Sequence, residues 1–278
     1  MRALAVNDTV LIKPTQGWVS LNLKELWEYR ELFYFLVWRD IKVSYARTVL
    51  GVAWAVLKPV FTMVVFTIIF GWLAKIPSDG VPYPIFAYSA LLSWQLFARS
   101  LTVSSNSLVT NENLITKVYF PRLVVPLSAT VVGLLDFAVA SMVLLGMMGF
   151  YHIVPTSAVW MLPLFVVQAI ATALGVGLWL SALSTQYRDI GHILPFLTQA
   201  WMFATPIIYP SSLVPESLRV LYWLNPMVGV VDGFRWALLG TGNMPTSMLA
   251  MSAWMTVTVL VSGLYYFRRM ERTFADTV

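Results

Sequence analysis

Cysteine is missing from all 278 residues, which excludes disulfides, cysteine-ligated metals and thiol chemistry. Histidine is nearly as scarce. Only His152 and His192 occur, far apart, and two histidines are too few for a histidine-based zinc site. Charge is also thin: Asp, Glu, Lys and Arg make up 11% of the chain, against about a quarter in soluble domains. No GxxxxGK(S/T) phosphate loop and no glycine-rich dinucleotide turn are present, so ATP binding by a P-loop is not a property of this chain. The acids are scattered and only Asp136 lies well inside an apolar run. A membrane enzyme needs clustered acids or a base. A secondary transporter needs mid-membrane charge and an internal repeat. Neither pattern is there. The first 49 residues lack the apolar stretch that follows the basic start of a secretory signal, so no cleaved signal is expected.

What the sequence has instead is apolar length. Hydrophobic residues make up 59% of the chain. Six runs approach the roughly 20 apolar residues that a membrane crossing needs: Val52–Ala74, Pro84–Val103, Val124–Phe150, Val159–Leu183, Ile193–Tyr209 and Met248–Phe267. The expected fold is therefore an all-α membrane protein with six transmembrane helices. Six spans put both ends on one side, and positive charge sets which side. Of the 18 Lys and Arg, seven precede the first run, two lie in Glu112–Arg122, one is Arg188 and three follow the last run. Only Lys75, Arg219 and Arg235 fall in the opposite connectors. Both termini and Glu112–Arg122 are expected in the cytosol. The net charge of +5 reflects this asymmetry and does not point to nucleic acid.

The division expected is a tail over residues 1–21, an amphipathic helix over 22–50, a transmembrane domain over 51–268 and a tail over 269–278. From Asn22 to Leu50 there is no Gly or Pro, and Asn22 with Glu25 forms a cap pattern. Leu23, Leu26, Trp27, Phe33, Leu36, Val37 and Ile41 recur at helical spacing. Such a helix lies in the membrane interface or packs on the protein's own cytosolic side. Between the last two runs, Pro and Gly break residues 211–240 into two short helices, Pro215–Leu224 and Val228–Leu239. They dip into the membrane and return, or lie on the outer surface as a cap.

Three charged residues lie within runs. Lys58 snorkels from the end of the first run, where Pro59 is expected to kink the helix. Arg99 and Asp136 are placed to pair between neighbouring helices, or to touch a substrate. Aromatic residues make up 14% of the chain. Many lie at run ends, as in an interfacial belt. Within the runs, Trp54, Phe61, Phe66, Phe70, Trp201, Phe203 and Tyr209 read as packed or lipid-facing, or as candidates to line a channel.

Four stretches taken together are specific: "RDIKVSYARTVLGVAWAVLKP", "NENLITKVYFPR", "ALSTQYRDIGHILPFLTQAWMFATPIIYP" and "LNPMVGVVDGFRWALLG". They resemble the membrane subunits of ABC-2 polysaccharide exporters, above all those for O-antigen and nearly as much those for teichoic acid. A capsular polysaccharide, or a small hydrophobic drug, is the alternative cargo. The resemblance covers all but roughly the first tenth of the chain; Met1–Ser20 falls outside it. It implies the ABC-2, type V exporter fold, with short re-entrant helices between spans five and six, in a bacterial inner membrane. It implies a homodimer with two copies of a separate P-loop ATPase that carries ATP and Mg²⁺, this chain binding no cofactor. The implied cargo is an undecaprenyl-type lipid-linked polysaccharide.

In that family the segment matching 111–122 docks on the ATPase. Leu114, Ile115, Val118, Tyr119 and Phe120 would supply the apolar anchor. Glu112, Asn113, Lys117 and Arg122 would supply orientation, Pro121 would end the helix, and Arg188 and Asp189 would make a minor contact. The cytosolic entrance would use Trp38, Arg39, Lys42, Tyr45 and Arg47 to meet pyrophosphate or anionic lipid. Pro215, Arg219, Asn225, Pro226, Asp232 and Arg235 would form the outer gate.

Overall fold

The computed structural model describes residues 23–46, 51–187, 189–241, 246–271 and 274. Every regular element among them is helical. In chain order they are α1 (Leu23–Glu28), α2 (Arg30–Ala46), α3 (Ala53–Phe66), α4 (Tyr83–Thr110), α5 (Glu112–Lys117), α6 (Val124–Phe150), α7 (Leu162–Ser184), α8 (Ile190–Phe203), α9 (Glu216–Trp223), α10 (Pro226–Leu239) and α11 (Thr246–Met270). A π-helical extension, Thr67–Leu73, continues α3, and a 3₁₀ turn, Ser157–Met161, leads into α7. The Asn22 cap lies outside the described residues.

Among the described residues, four helices are long and apolar enough to cross a membrane: Ala53–Leu73, Val124–Phe150, Ser157–Ser184 and Thr246–Met270. The other two expected spans differ for separate reasons. α4 has 28 residues, a length of about 42 Å, but it carries Ser89, Ser93, Ser100, Ser104, Ser105 and Ser107 on its buried side. It is the central helix, packed between α6 and α7 and against α10 and α3. Its small polar residues let neighbours approach closely: a Cβ on Gly177 of α7 would sit 2.6 Å from Ser104 Oγ. α8 has 14 residues and stops at Phe203, about 21 Å of helix and short of the expected end at Tyr209. Pro206 and Pro210 interrupt the segment that follows.

The α7–α11 contact is closer still. A Cβ on Gly263 would fall 2.2 Å from the Gly175 carbonyl oxygen. Around that crossing, Gln168 donates to Ser252 Oγ at 2.7 Å, and Thr172 and Thr256 bond at 3.1 Å. Trp179 stacks on Tyr266 with ring centroids 4.1 Å apart. Polar pairs between apolar helices fix which residues meet, because hydrocarbon offers them no other partner.

α2 packs on the protein's own body, with Leu36 fully buried beside Leu108, Ile115 and Phe120. Its other side remains apolar: Tyr34, Phe35, Trp38 and Val43 are exposed, as is Trp27 on α1, which a turn at Tyr29 separates from α2. Of the two readings of this helix, packing on the protein's own body is seen: one side seats on the helical body, and the other presents exposed aromatic residues. Trp27, counted from the sequence on the packed stripe, is on the outer side.

Candidate functional site: the coupling segment and the outer gate

α4 gives way to α5 at Asn111, whose backbone (φ −109°, ψ 24°) departs from the helix. One residue thus closes α4 and opens α5. Glu112 lies in the first turn of α5 and Lys117 in the last, charges that suit the helix dipole. The helix ends at Lys117 and Val118 is extended, so Pro121 does not end it, contrary to expectation. The strand-like turn of backbone separates two sets of side chains. Ile115 and Phe120 are buried, at 3% and 4% exposure, among Leu108, Leu123, Val124, Leu178 and Phe267. Val118 and Tyr119 are exposed, at 52% and 70%. The expected five-residue anchor is therefore divided: Ile115 and Phe120 hold the segment to its own protein, Leu114 is half-buried, and Val118 and Tyr119 are free to meet a partner. Glu112, Asn113 and Lys117 flank them on the surface.

Arg122 also differs from its expected role. Its guanidinium donates to the Glu271 carbonyl oxygen, and its backbone N–H donates to Glu271 Oε1 at 3.0 Å. Arg268 holds the other carboxylate oxygen of Glu271 at 2.8 Å. The far end of the segment is tied to the end of α11 and does not point to a partner. In the second loop, Asp189 is exposed at the start of α8 beside an exposed Tyr187; Arg188 lies outside the described residues.

The expected entrance residues fall into two groups. Trp38 and Lys42 are exposed; Arg47 lies outside the described residues. Arg39 and Tyr45 are engaged within the protein. Arg39 donates to Asp40 Oδ1 (2.7 and 2.9 Å) and to Asn111 Oδ1 (2.6 Å). Within the chain its guanidinium is thus paired with Asp40 and bonded to Asn111. Tyr45 donates to Asp136 Oδ1, and the Arg99 guanidinium stands 3.6 Å from Asp136 Oδ2. The Arg99–Asp136 pair is present, with Tyr45 as a third member that spacing did not reveal. Burial, and then the Asp136 carboxylate, push the Tyr45 phenol up from its ordinary value, so it remains a donor throughout the neutral range.

The aromatic lining candidates divide by exposure. Trp54, Phe61 and Phe203 are exposed. Phe66 is buried and meets Phe70 edge-on at 5.5 Å. Trp201 is braced by Phe97 at 5.0 Å and donates to Asn225 Oδ1 at 2.9 Å. Tyr209 accepts from the Tyr222 hydroxyl at 3.3 Å.

The two short outer helices form where the sequence breaks them. Asn225 caps α10 by accepting from the Met227 N–H at 3.0 Å, and donates to Ala204 O and Thr205 Oγ1. Pro226 follows at the first helical position. Pro215 precedes α9, on which Arg219 pairs only locally with Glu216, at 3.2 Å. α9 is exposed, whereas α10 is buried against α4, α7 and α11. A cavity of about 930 Å³ opens between α8, α9 and α11, lined by Trp201, Tyr209, Leu218, Tyr222 and Met255. Arg235 is not at its mouth. It is 3% exposed, donates to the carbonyls of Phe86, Pro206 and Ile207, and covers the Phe86 ring at 3.5 Å. Asp232 approaches it at 3.8 Å. Arg235 thus braces the broken backbone after α8. A lone arginine in the apolar "VVDGFRWALL" is the sequence signal for such a brace, since a buried guanidinium needs several acceptors.

These features are those of a helical membrane bundle that carries one short surface helix between α4 and α6. Residues 31–239 match the ABC-2 type transporter family. The chain belongs to this family. As an ABC-2 protein it is a multi-pass membrane transporter component, and membership implies partnership with an ABC ATPase. It is 31% identical over 263 residues to the O-antigen export system permease protein RfbA of Myxococcus xanthus, covering 92% of this chain and 98% of that protein. Its identity to the protein of the same name in Klebsiella pneumoniae is 28% over 239 residues, 86% and 91% of the two chains. The polysialic acid transport protein KpsM of Escherichia coli is 23% identical over 244 residues, 84% and 91%. The ABC-2 match begins on α2 and ends with α10, so it takes in the coupling segment and both outer helices.

Proposed function

We propose that this chain is the membrane subunit of an ATP-driven exporter that moves a lipid-linked polysaccharide, of the O-antigen class, out of the cytosol. The observation that carries this reading is the similarity to an O-antigen export permease along nearly the full length of both chains. Two copies of the chain pair with two copies of a P-loop ATPase, and ATP with Mg²⁺ binds on that partner. The membrane is the bacterial inner membrane, with both chain ends in the cytosol. α4 and α8 add two crossings to the four apolar spans, α8 completed by the braced segment that follows it. α9 and α10 act as the outer gate. The polymer carrier is an undecaprenyl-type lipid. Val118 and Tyr119 meet the ATPase, and the exposed aromatics Trp54, Phe61 and Phe203 contact the passage. A capsular polymer is the second reading, supported by the relative that transports polysialic acid.

The test is purification of the tagged chain from its own host in mild detergent, followed by native mass measurement and analysis of surface glycan in a strain lacking the chain. A P-loop ATPase in equal amount and loss of long surface glycan are expected. A lone chain that moves substrate under an ion gradient would overturn the proposal.

A further inference from the structure

The interfacial helix and the coupling segment meet at one polar contact. Arg39 on α2 donates to Asn111 Oδ1 at 2.6 Å, and Asn111 Nδ2 donates to Ser107 O at 2.8 Å. Both ends of the Asn111 amide are therefore engaged, and its carbonyl faces Arg39. Asp40 holds the guanidinium from the other side. Asn111 is 9% exposed, and a charge-assisted hydrogen bond so sheltered is stronger than one in water. Asn111 is also the joint between α4 and α5. Farther along α2, Tyr45 reaches Asp136 on α6, where Arg99 of α4 joins it. The opposite end of the coupling segment is fastened to α11 through Arg122 and Glu271.

We infer that Arg39 and Asn111 are positioning residues that carry motion of the coupling segment to the interfacial helix. The inference rests on the proposed function, in which the ATPase displaces α5 through Val118 and Tyr119. α5 has six residues, too short to bend, so a displacement reaches its first residue and the Asn111 joint. There the Arg39 bond pulls on the middle of α2, and the Tyr45–Asp136 bond holds the end of α2 against α6. The interfacial helix then tilts about Tyr45, and an entrance beside it opens in step with ATP turnover. Nothing else polar among the described hydrogen bonds ties α2 to the coupling segment.

The experiment uses the full chain in its own host, with export read as surface glycan and ATP hydrolysis read on the purified membrane complex. Arg39→Leu and Asn111→Leu are each expected to lower export roughly tenfold, the scale of one charge-assisted hydrogen bond, while hydrolysis falls far less. The double variant loses no more than either single. Asn111→Asp, which keeps an acceptor for Arg39, recovers export several-fold over Asn111→Leu. If the leucine variants fail to reach the membrane, Arg39→Gln and Asn111→Ser are judged by the same split between export and hydrolysis. Export indistinguishable from wild type, additive losses in the double variant, or equal loss of export and hydrolysis would overturn the linkage and leave the exporter reading standing. Wild-type chain that purifies without any ATPase would overturn both.

Discussion

At the scale of single residues, neighbours in sequence divide into opposite roles. Tyr119 and Phe120 are adjacent and both aromatic, yet one is exposed and the other buried. Truncation separates them. Phe120→Ala removes a packed ring and should destabilise the protein by about 3–5 kcal/mol, seen as a lower melting temperature in detergent. Tyr119→Ala should leave the melting temperature unchanged and abolish export and ATPase retention. Normal export from the Tyr119 variant would remove it from the docking surface. Arg235 makes the same point for charge. Its three carbonyl acceptors need a planar fork of donors, so Arg235→Lys should lose folded protein almost as severely as Arg235→Met, measured by fluorescence-detected gel filtration. Nothing in residue type distinguishes this arginine from Arg219, whose partners, Glu216 and the Val214 carbonyl, are local in sequence. Burial does, and burial is a property of the assembled bundle.

At the scale of elements, the long apolar helices were legible in the sequence. α3, α6, α7 and α11 are apolar along their length because hydrocarbon or apolar neighbours surround them. α4 escapes a hydropathy threshold because other helices surround it and its serines serve close packing. The expected run Pro84–Val103 falls wholly inside α4, yet the helix continues seven residues further, to Thr110. Helix contact through small residues is testable. Gly175→Val or Gly263→Val would drive a side chain into the α7–α11 crossing, where the approach is already 2.2 Å for a Cβ. Loss of folded protein on gel filtration is expected from either, whereas Gly146→Val, with open space around it, should be tolerated. The short elements were placed well by punctuation: the expected Pro215–Leu224 and Val228–Leu239 compare with Glu216–Trp223 and Pro226–Leu239. The coupling helix was not, because Val118 leaves the helix three residues before the proline. Val118 takes an extended backbone, and Phe120 two residues on is buried.

At the scale of the whole molecule, orientation follows from charge asymmetry and can be read directly, because the absence of cysteine makes every introduced thiol unique. Lys75→Cys should react with a membrane-impermeant maleimide in intact spheroplasts. Tyr187→Cys, on an exposed loop of opposite assignment, should react only after permeabilisation. The reverse pattern would invert the topology and put the coupling segment on the wrong side for a cytosolic ATPase.

The sequence alone determined the membrane class, the places of the apolar helices, the lack of a nucleotide loop and the short helices bounded by proline and glycine. These are local or compositional properties, set by solvent preference and by backbone dihedrals, and they need no knowledge of neighbours. Motif resemblance supplied the docking segment and the kind of partner. Only the tertiary structure decided which side of each helix is inside. It buried Ile115, Phe120, Phe66 and Arg235, left Val118 and Tyr119 outside, and brought Arg39 to Asn111 and Tyr45 to Asp136. Those contacts join residues 72 and 91 positions apart. Helical periodicity does not reach across such distances, and whether a polar side chain is spent on its own fold or left for a partner depends on what the packed helices place beside it.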